Sequence, residues 1–218
     1  MPVLDATDPW IRWDWVQSHQ QRLLDATLQH LQLTAIALAA GIAIAAPVGI
    51  WAWRSRRFRT PVLAIGGALY TIPSLAAFAL LVPFTGLTVL TAEIPLVSYT
   101  LLILIRNIVV GLDGVPPDVR EAATGMGYSP VRRLFQIELP LALPVILAGV
   151  RIAAVTTIGL VTVTALIGEG GLGQLILDGL TRDFKTPIVL GAALSVALAA
   201  AADVALVGLQ RLAAPWAR

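Results

Sequence analysis

Apolar side chains dominate the 218-residue chain, of which 57% is hydrophobic and 13% is charged, and its mean hydropathy is +0.82. Soluble domains carry about a quarter charged residues and less than half apolar ones, so the composition excludes an ordinary soluble enzyme. The net charge is only +2, which does not indicate a nucleic-acid binder despite a pI near 9.5.

The N-terminal segment, residues 1–30, is acidic and contains three closely spaced tryptophans, Trp10, Trp13 and Trp15. It lacks the apolar stretch and the small-residue cleavage site of a signal peptide. Because tryptophan favours the interface between membrane and water, we predict that this segment lies along the outer membrane surface. A disordered tail is the alternative.

Five later stretches are long and apolar enough to cross a membrane, since about 20 apolar residues span the hydrocarbon core as a helix. Backbone groups in lipid need internal hydrogen bonds, and these stretches do not alternate as barrel strands do. The sequence therefore predicts an all-α polytopic membrane protein with about five transmembrane helices. The predicted spans, within a membrane domain of residues 31–209, are 31–53, 61–82, 94–111, 139–167 and 187–209.

Basic residues predict the orientation of these helices. Four arginines follow the first span: Arg54, Arg56, Arg57 and Arg59. Basic loops stay in the cytoplasm, which places the N-terminus outside and the tail, residues 210–218, inside. The inner segments then hold nine basic and four acidic residues, and the outer ones hold four basic and eight acidic residues. The connection 113–138 is accordingly cytoplasmic, and the connection 168–186 is extracytoplasmic.

Side chains that support common catalytic chemistry are scarce. The chain has no cysteine, and its single lysine, Lys185, lies in the predicted outer connection, so no Walker A loop is available for ATP. His19 and His30 fall outside any metal-ligand spacing, and we interpret both as polar residues at the outer membrane edge. We expect no catalytic or metal site in this chain, and transport is the favoured class of function.

The predicted cytoplasmic connection is typical of two short helices that meet at a glycine turn. Pro117 suits a helix start, Gly127 suits a helix end, and Ser129 precedes Pro130 as an N-cap does. Two adjacent alanines in the first helix form a surface of small side chains, here called a low surface, that another protein can approach closely. A surface helix pair without a partner is the alternative.

This connection resembles the EAA loop of ABC importer permeases. That pattern is Glu-Ala-Ala, three residues, Gly, nine residues, Ile, one residue and Leu-Pro. The matching residues are Glu121, Ala122, Ala123, Gly127, Ile137, Leu139 and Pro140. The resemblance implies the type I importer permease fold, with these residues docking on a separate ATPase. It also implies that ATP and Mg²⁺ bind to that ATPase, so we expect no cofactor on this chain.

Three further segments, 70–76, 104–107 and 165–173, are similar to the osmoprotectant branch of that family. This branch imports glycine betaine, choline, carnitine or proline betaine. Permeases for an amino acid such as methionine are the nearest rival, and an ATP-independent secondary carrier and a non-transporting scaffold are more distant ones. The resemblance implies two permease copies, identical or different, two ATPase subunits and an extracytoplasmic binding protein, in a bacterial or archaeal inner membrane.

Glycines after the fourth span predict an outer gate. They permit a sharp re-entry before a short half-helix with an apolar stripe at Leu172, Leu175, Ile176 and Gly179. A surface amphipathic turn is the alternative. The candidate gate and pathway residues are Tyr70, Pro73, Ser74, Gly170, Gly171 and Gly173.

Three charged residues fall inside the predicted spans and need partners or access to water. Arg106 is near the inner end of its helix, from which its side chain reaches water. Arg151 lies roughly 20 Å along the helix from Glu138, at about 1.5 Å per residue. We predict that it pairs with Asp203 and fixes the fourth helix against the fifth. The alternative is that Arg151 lines a wet pathway.

Overall fold

The structure is a computed structural model that describes residues 9–217, and all regular secondary structure within them is helical. Asp5, Asp8 and Arg218, which contribute to the predicted charge asymmetry, lie outside the described residues. The α-helices, in chain order, are α1 (Trp13–Ser18), α2 (Gln20–Arg54), α3 (Arg56–Thr71), α4 (Ser74–Thr85), α5 (Val89–Asp113), α6 (Pro117–Gly125), α7 (Pro130–Arg133), α8 (Leu139–Val161), α9 (Leu172–Thr181) and α10 (Lys185–Ala213).

Within residues 9–217, four helical stretches are long and apolar enough to cross a membrane: α2, α5, α10 and the stretch Pro130–Ile167 that includes α8. The pair α3 and α4 forms a fifth candidate span, but its two halves are bent by 90°. The predicted all-α fold is therefore confirmed, and the four to five apolar spans agree with the prediction of about five. The prediction of one uninterrupted helix across 61–82 is wrong.

The bend between α3 and α4 originates at Pro73. Ile72 adopts an extended backbone, with φ −65° and ψ 125°, because the residue before a proline disfavours the α region. Proline also lacks the N–H that would continue the helix. Tyr99 of α5 donates its hydroxyl hydrogen to the carbonyl of Ile72 at 2.6 Å, which satisfies an acceptor freed at the helix end. The break is thus a built feature of the fold.

The central helix is α5, which packs against α2, α3, α4 and α8. Glycines allow its two main neighbours to approach closely. A Cβ atom on Gly41 of α2 would lie 2.1 Å from Oγ1 of Thr100. A Cβ atom on Gly149 of α8 would lie 2.4 Å from the Cβ of Asn107. Small residues at such contacts favour the association of helices in lipid.

The N-terminal part of the chain is more helical than its sequence indicates. α2 begins at Gln20, well before the predicted start of the first span at residue 31. Trp15 stacks on His19 with ring centroids 4.3 Å apart and meets Phe184 edge-on at 5.6 Å. α1 therefore packs beside the start of α10.

Candidate functional site

The coupling loop, residues 113–138, turns sharply at Gly127, whose φ of +81° is a left-handed conformation that favours glycine. The N–H of Gly127 donates to the carbonyl of Thr124 at 3.0 Å. The N–H of Tyr128 donates to the carbonyl of Ala123 at 3.1 Å. These two bonds form the Schellman pattern that ends many helices, and they confirm the predicted helix end.

The starts of α6 and α7 are also as predicted. Pro117 and Pro130 occupy the first turn of α6 and α7, where a missing N–H removes no hydrogen bond. The hydroxyl oxygen of Ser129 accepts a hydrogen bond from the N–H of Arg132 at 3.4 Å, which caps α7. Local turn chemistry therefore determines the shape of the coupling loop.

The motif residues of the coupling loop occupy two environments. The exposed ones are Glu121, Ala122 and Gly127. The partly buried ones, near the junction with α8, are Ile137, Leu139 and Pro140. Ala123 is completely buried, so only Ala122 of the alanine pair offers the low surface that the sequence predicts.

Glu138 is a buried anchor of the coupling loop that the sequence patterns did not reveal. Its side chain is 1% exposed, and its Oε1 lies 3.1 Å from Nε of Arg133 and 3.3 Å from Nε of Arg120. A buried carboxylate needs such partners because an unpaired charge is costly in a dry interior. The sequence offers one signal for this anchor, because Glu138 is an acidic residue at the edge of an apolar span, between Ile137 and Leu139.

The two arginines extend this anchor to other helices. Arg120 donates a hydrogen bond to the carbonyl of Leu112 in α5, and its guanidinium carbon lies 5.4 Å from the ring centroid of Trp53 in α2. Arg133 donates to Oγ1 of Thr124 in α6 at 2.8 Å. These contacts connect α6 to α2, α5 and the start of α8. A displacement of α6 can therefore be transmitted to three membrane helices.

At the opposite end of the molecule, the outer loop, residues 168–173, follows a 3₁₀ segment, Val163–Ile167, and includes the first two residues of α9. Its glycines are tightly packed. A Cβ atom on Gly170 would lie 2.3 Å from the Cα of Ala165, and one on Gly173 would lie 2.2 Å from the carbonyl oxygen of Thr162. Neither position has space for a side chain, which agrees with a sharp re-entry.

α2 holds the outer loop from its other side. Gln29 accepts a hydrogen bond from the N–H of Gly171 at 3.2 Å and donates one to Glu169 at 3.0 Å. Arg22 of α2 forms an ion pair with Asp178 of α9. These contacts therefore form a link, here called the latch, that joins α2 to the outer loop and α9.

His30 contributes to this latch and is fully buried. Its Nε2 is 2.9 Å from the carbonyl oxygen of Ile158, one of the acceptors freed near the C-terminal end of α8. A Cβ atom on Gly171 would lie 2.8 Å from the Cβ of His30. His30 is therefore not a polar side chain exposed at the interface, because the helix end supplies it with a buried partner.

The predicted half-helix is α9, which packs against α10. Leu172, Leu175 and Gly179 of the predicted stripe are buried. Ile176 completes it, because a Cβ atom on Gly191 of α10 would lie 2.8 Å from Cγ1 of Ile176. The stripe thus faces protein.

Tyr70, Pro73 and Ser74 lie at the bend between α3 and α4. The ring of Tyr70 meets that of Tyr99 edge-on, with centroids 5.9 Å apart. The bent pair contacts the 3₁₀ segment that precedes the outer loop, because Phe78 of α4 is fully buried in a cluster with residues that include Val161 and Ile167. α4 and the segment that leads into the outer loop therefore share one hydrophobic cluster.

The intramembrane charges behave differently from one another. Arg151 donates from Nε and Nη2 to the two carboxylate oxygens of Asp203 at 2.9 and 3.0 Å, a bidentate pair that joins α8 to α10. The pair borders a groove of about 480 Å³ that Ile152 and Val155 also line. Arg106 is exposed and forms no ion pair within residues 9–217.

Comparison with known proteins gives a consistent result. The model of the family described as binding-protein-dependent transport system inner membrane component matches residues 26–218. The chain is 39% identical to the osmoprotectant import permease protein OsmW of Salmonella typhimurium, over 88% of this chain and 92% of that protein. It is 38% identical to the carnitine transport permease protein OpuCB of Listeria monocytogenes, over 84% of each chain.

A solved structure has the same fold. The inward-facing MetNI methionine ABC transporter superposes with a TM-score of 0.79, over 90% of this chain and 98% of that one. The sequence identity is 23%, so this likeness concerns the fold alone.

Proposed function

Because the chain belongs to the family of inner-membrane components of binding-protein-dependent transport systems, we propose that it forms the pathway of an ATP-driven importer for compatible solutes. Glycine betaine, choline and carnitine are the expected substrates. The osmoprotectant and carnitine permeases to which the chain is more than a third identical support this substrate class. Methionine has weaker support, since the methionine transporter shares only the fold.

The anchored helix α6 is the observation that carries the proposal. It presents Glu121 and Ala122 at an exposed surface, next to the exposed turn residue Gly127, while Glu138 fastens the same loop to the membrane helices. A docking helix needs both an accessible contact face and a stiff connection to the parts it moves. The coupling loop combines these two properties.

The proposed assembly contains two permease copies, two ATPase subunits and one extracytoplasmic binding protein. ATP and Mg²⁺ bind to the ATPase subunits, which the coupling loops contact from the cytoplasmic side of a bacterial or archaeal inner membrane. The N-terminal segment 1–30 and the connection 168–186 face outwards, and the tail 210–218 faces inwards. The membrane domain spans residues 31–209 and includes the connection 168–186 and the coupling loop.

In this assembly, closure of the ATPase subunits displaces α6, and the Glu138 anchor passes the displacement to α2, α5 and α8. The outer loop lies at the far ends of two of these helices, since Gln29 of α2 and Thr162, just after α8, both contact it. Rigid helices can transmit such a displacement along their length. We propose that the outer loop and the bend at Pro73 open and close the outer side of the pathway.

Uptake of labelled glycine betaine tests the substrate class, in cells that lack other betaine importers and express the permease with its ATPase and binding protein. Unlabelled choline or carnitine should compete with the label, whereas methionine should not. Uptake of methionine alone would show that the substrate class is wrong while leaving the importer intact. Uptake that persists without the ATPase would instead support a secondary carrier.

Substitution at Ala122 tests the docking role. Ala122→Phe adds bulk to an exposed position of α6, so we expect betaine uptake and co-purification of the ATPase to fall at least tenfold while the amount of permease in the membrane stays unchanged. Ala122→Ser is the matched control, because it keeps the low surface and should retain both. Full ATPase association with Phe at this position would rule out α6 as the docking surface.

A further inference from the structure

A cavity of about 410 Å³ lies between the end of α2, the start of α3 and the coupling loop. The charged residues that line it are Arg54, Arg56, Arg120, Arg133, Asp113 and Glu138. We propose that this basic cavity binds the phosphodiester headgroup of an anionic phospholipid. The effect of this lipid on the coupling loop rests on the proposed function of α6, whereas binding of the lipid does not.

The charges in the basic cavity are unbalanced. Asp113 lies 2.6 Å from Arg59, and Glu138 is occupied by Arg120 and Arg133. Arg54 and Arg56 consequently have no acidic partner within the part of the chain that the structure describes. Two guanidinium groups that line one cavity can bind one phosphodiester through charge-assisted hydrogen bonds.

Neighbouring aromatic rings favour a lipid rather than a protein as the source of this phosphodiester. Trp51 and Phe58 stack with ring centroids 4.3 Å apart and remain 48% and 39% exposed. Exposed aromatic pairs at the end of an apolar span are typical of the headgroup layer of a membrane. Arg54 and Arg56 lie between these two residues in sequence, which places the cavity at the end of an apolar span, where basic pockets between helices hold lipid phosphates.

The floor of the cavity connects the lipid to the coupling loop. Arg120 and Arg133 line the cavity and also hold Glu138, the buried anchor of α6 and α8. A bound headgroup therefore lies beside the ion pairs that fasten α6. We infer that an anionic lipid stiffens this end of the loop by balancing the surplus positive charge.

Lipid retention by the assembled transporter tests the proposal. The permease and its ATPase are reconstituted in bilayers of phosphatidylcholine alone or mixed with phosphatidylglycerol, and the lipids retained after extraction are counted by native mass spectrometry. We expect Arg54→Gln with Arg56→Gln to weaken phosphatidylglycerol retention roughly tenfold or more. The matched control, Arg57→Gln with Arg211→Gln, removes the same charge at exposed positions outside the cavity and should retain the lipid.

Three outcomes would overturn the proposal. Equal retention by the two double variants would show a general effect of surface charge. Displacement of phosphatidylglycerol by millimolar inorganic phosphate would identify free phosphate as the ligand. Release of the ATPase without loss of the lipid would identify the arginines as a protein contact. Retention is measured without substrate or ATP, so its failure is distinguishable from failure of the transport proposal.

Discussion

The outer loop and the turn of the coupling loop both depend on glycine, but for opposite physical reasons. Gly170 and Gly173 of the outer loop have no space for a side chain, because backbone and side-chain atoms would lie within 2.3 Å of an added Cβ atom. Gly127 of the coupling loop has nothing within 4 Å of that point, so within this chain only its φ of +81° favours glycine. One region is closed by packing, and the other is shaped by its backbone and left open.

This difference matches the two tasks proposed for these regions. A gate must exclude water and solutes, which requires close packing among Thr162, Ala165 and the glycines of the outer loop. A docking turn must keep its surface free for another protein while its orientation stays fixed. The ion pairs of the buried Glu138 fix that orientation. We therefore expect the two regions to respond differently to the same kinds of substitution.

The largest expected effect comes from Gly173→Ala. The added Cβ atom would lie 2.2 Å from the carbonyl oxygen of Thr162, a backbone atom that cannot move without unwinding the segment. We expect a loss of about 3 kcal/mol of stability and no measurable betaine uptake. Thermal unfolding of the purified transporter and uptake in cells measure the two effects.

Gly159→Ala is the control for this prediction. Gly159 lies near the C-terminal end of α8, and nothing lies within 4 Å of its added Cβ atom. Unfolding temperatures that fall equally in Gly159→Ala and Gly173→Ala would mean that packing around the outer loop is not the source of the requirement for glycine.

A smaller effect is expected when the anchor of the coupling loop is neutralised by Glu138→Gln. The amide keeps the size of the side chain but loses the charge that binds Arg120 and Arg133, which are themselves about a quarter exposed. We expect a loss of about 2 kcal/mol, which is typical of hydrogen bonds to a charged group. Uncoupling should accompany it, seen as ATP hydrolysis that no longer depends on the loaded binding protein.

Glu121→Gln is the control for stability, since Glu121 is an exposed acid in the same loop. Its unfolding temperature should match that of the unmodified transporter. If Glu138→Gln were as stable as Glu121→Gln, the buried ion pairs would not be what holds α6, and the contrast between the two regions would lose its energetic basis.

The sequence predicts the coupling loop better than the gate because the two are built from different kinds of information. Pro117, Gly127 and Ser129 act on their immediate neighbours, so the helix starts and the turn could be inferred from local rules. The bend at Pro73 was missed because the apolar stretch continues through it, although the proline itself was the available signal. The continuous apolar stretch favours one helix, whereas the restriction that Pro73 places on the backbone of the residue before it favours the bend.

Contacts between distant segments could not be inferred in the same way. The partners of Glu138 and the burial of His30 depend on how the helices are arranged, and Gln29 reaches a loop 142 residues away. Asp203 could be named as the partner of Arg151 because few charges exist inside the spans, and the structure brings these two together. Charged residues are rare inside the spans, so their pairing can be predicted. Residue types that occur many times do not indicate their partners in this way.

The smallest effect separates backbone conformation from space at Gly127. Gly127→Val places a β-branched residue at φ +81°, which costs about 1–2 kcal/mol, whereas asparagine adopts this region more readily. We expect Gly127→Val to lower betaine uptake and Gly127→Asn to retain most of it, with Gly125→Ala, which also has open space, close to the unmodified protein. Equal loss in the Val and Asn variants would mean that a partner fills the space above Gly127, so that the open side of the turn is itself part of the docking surface.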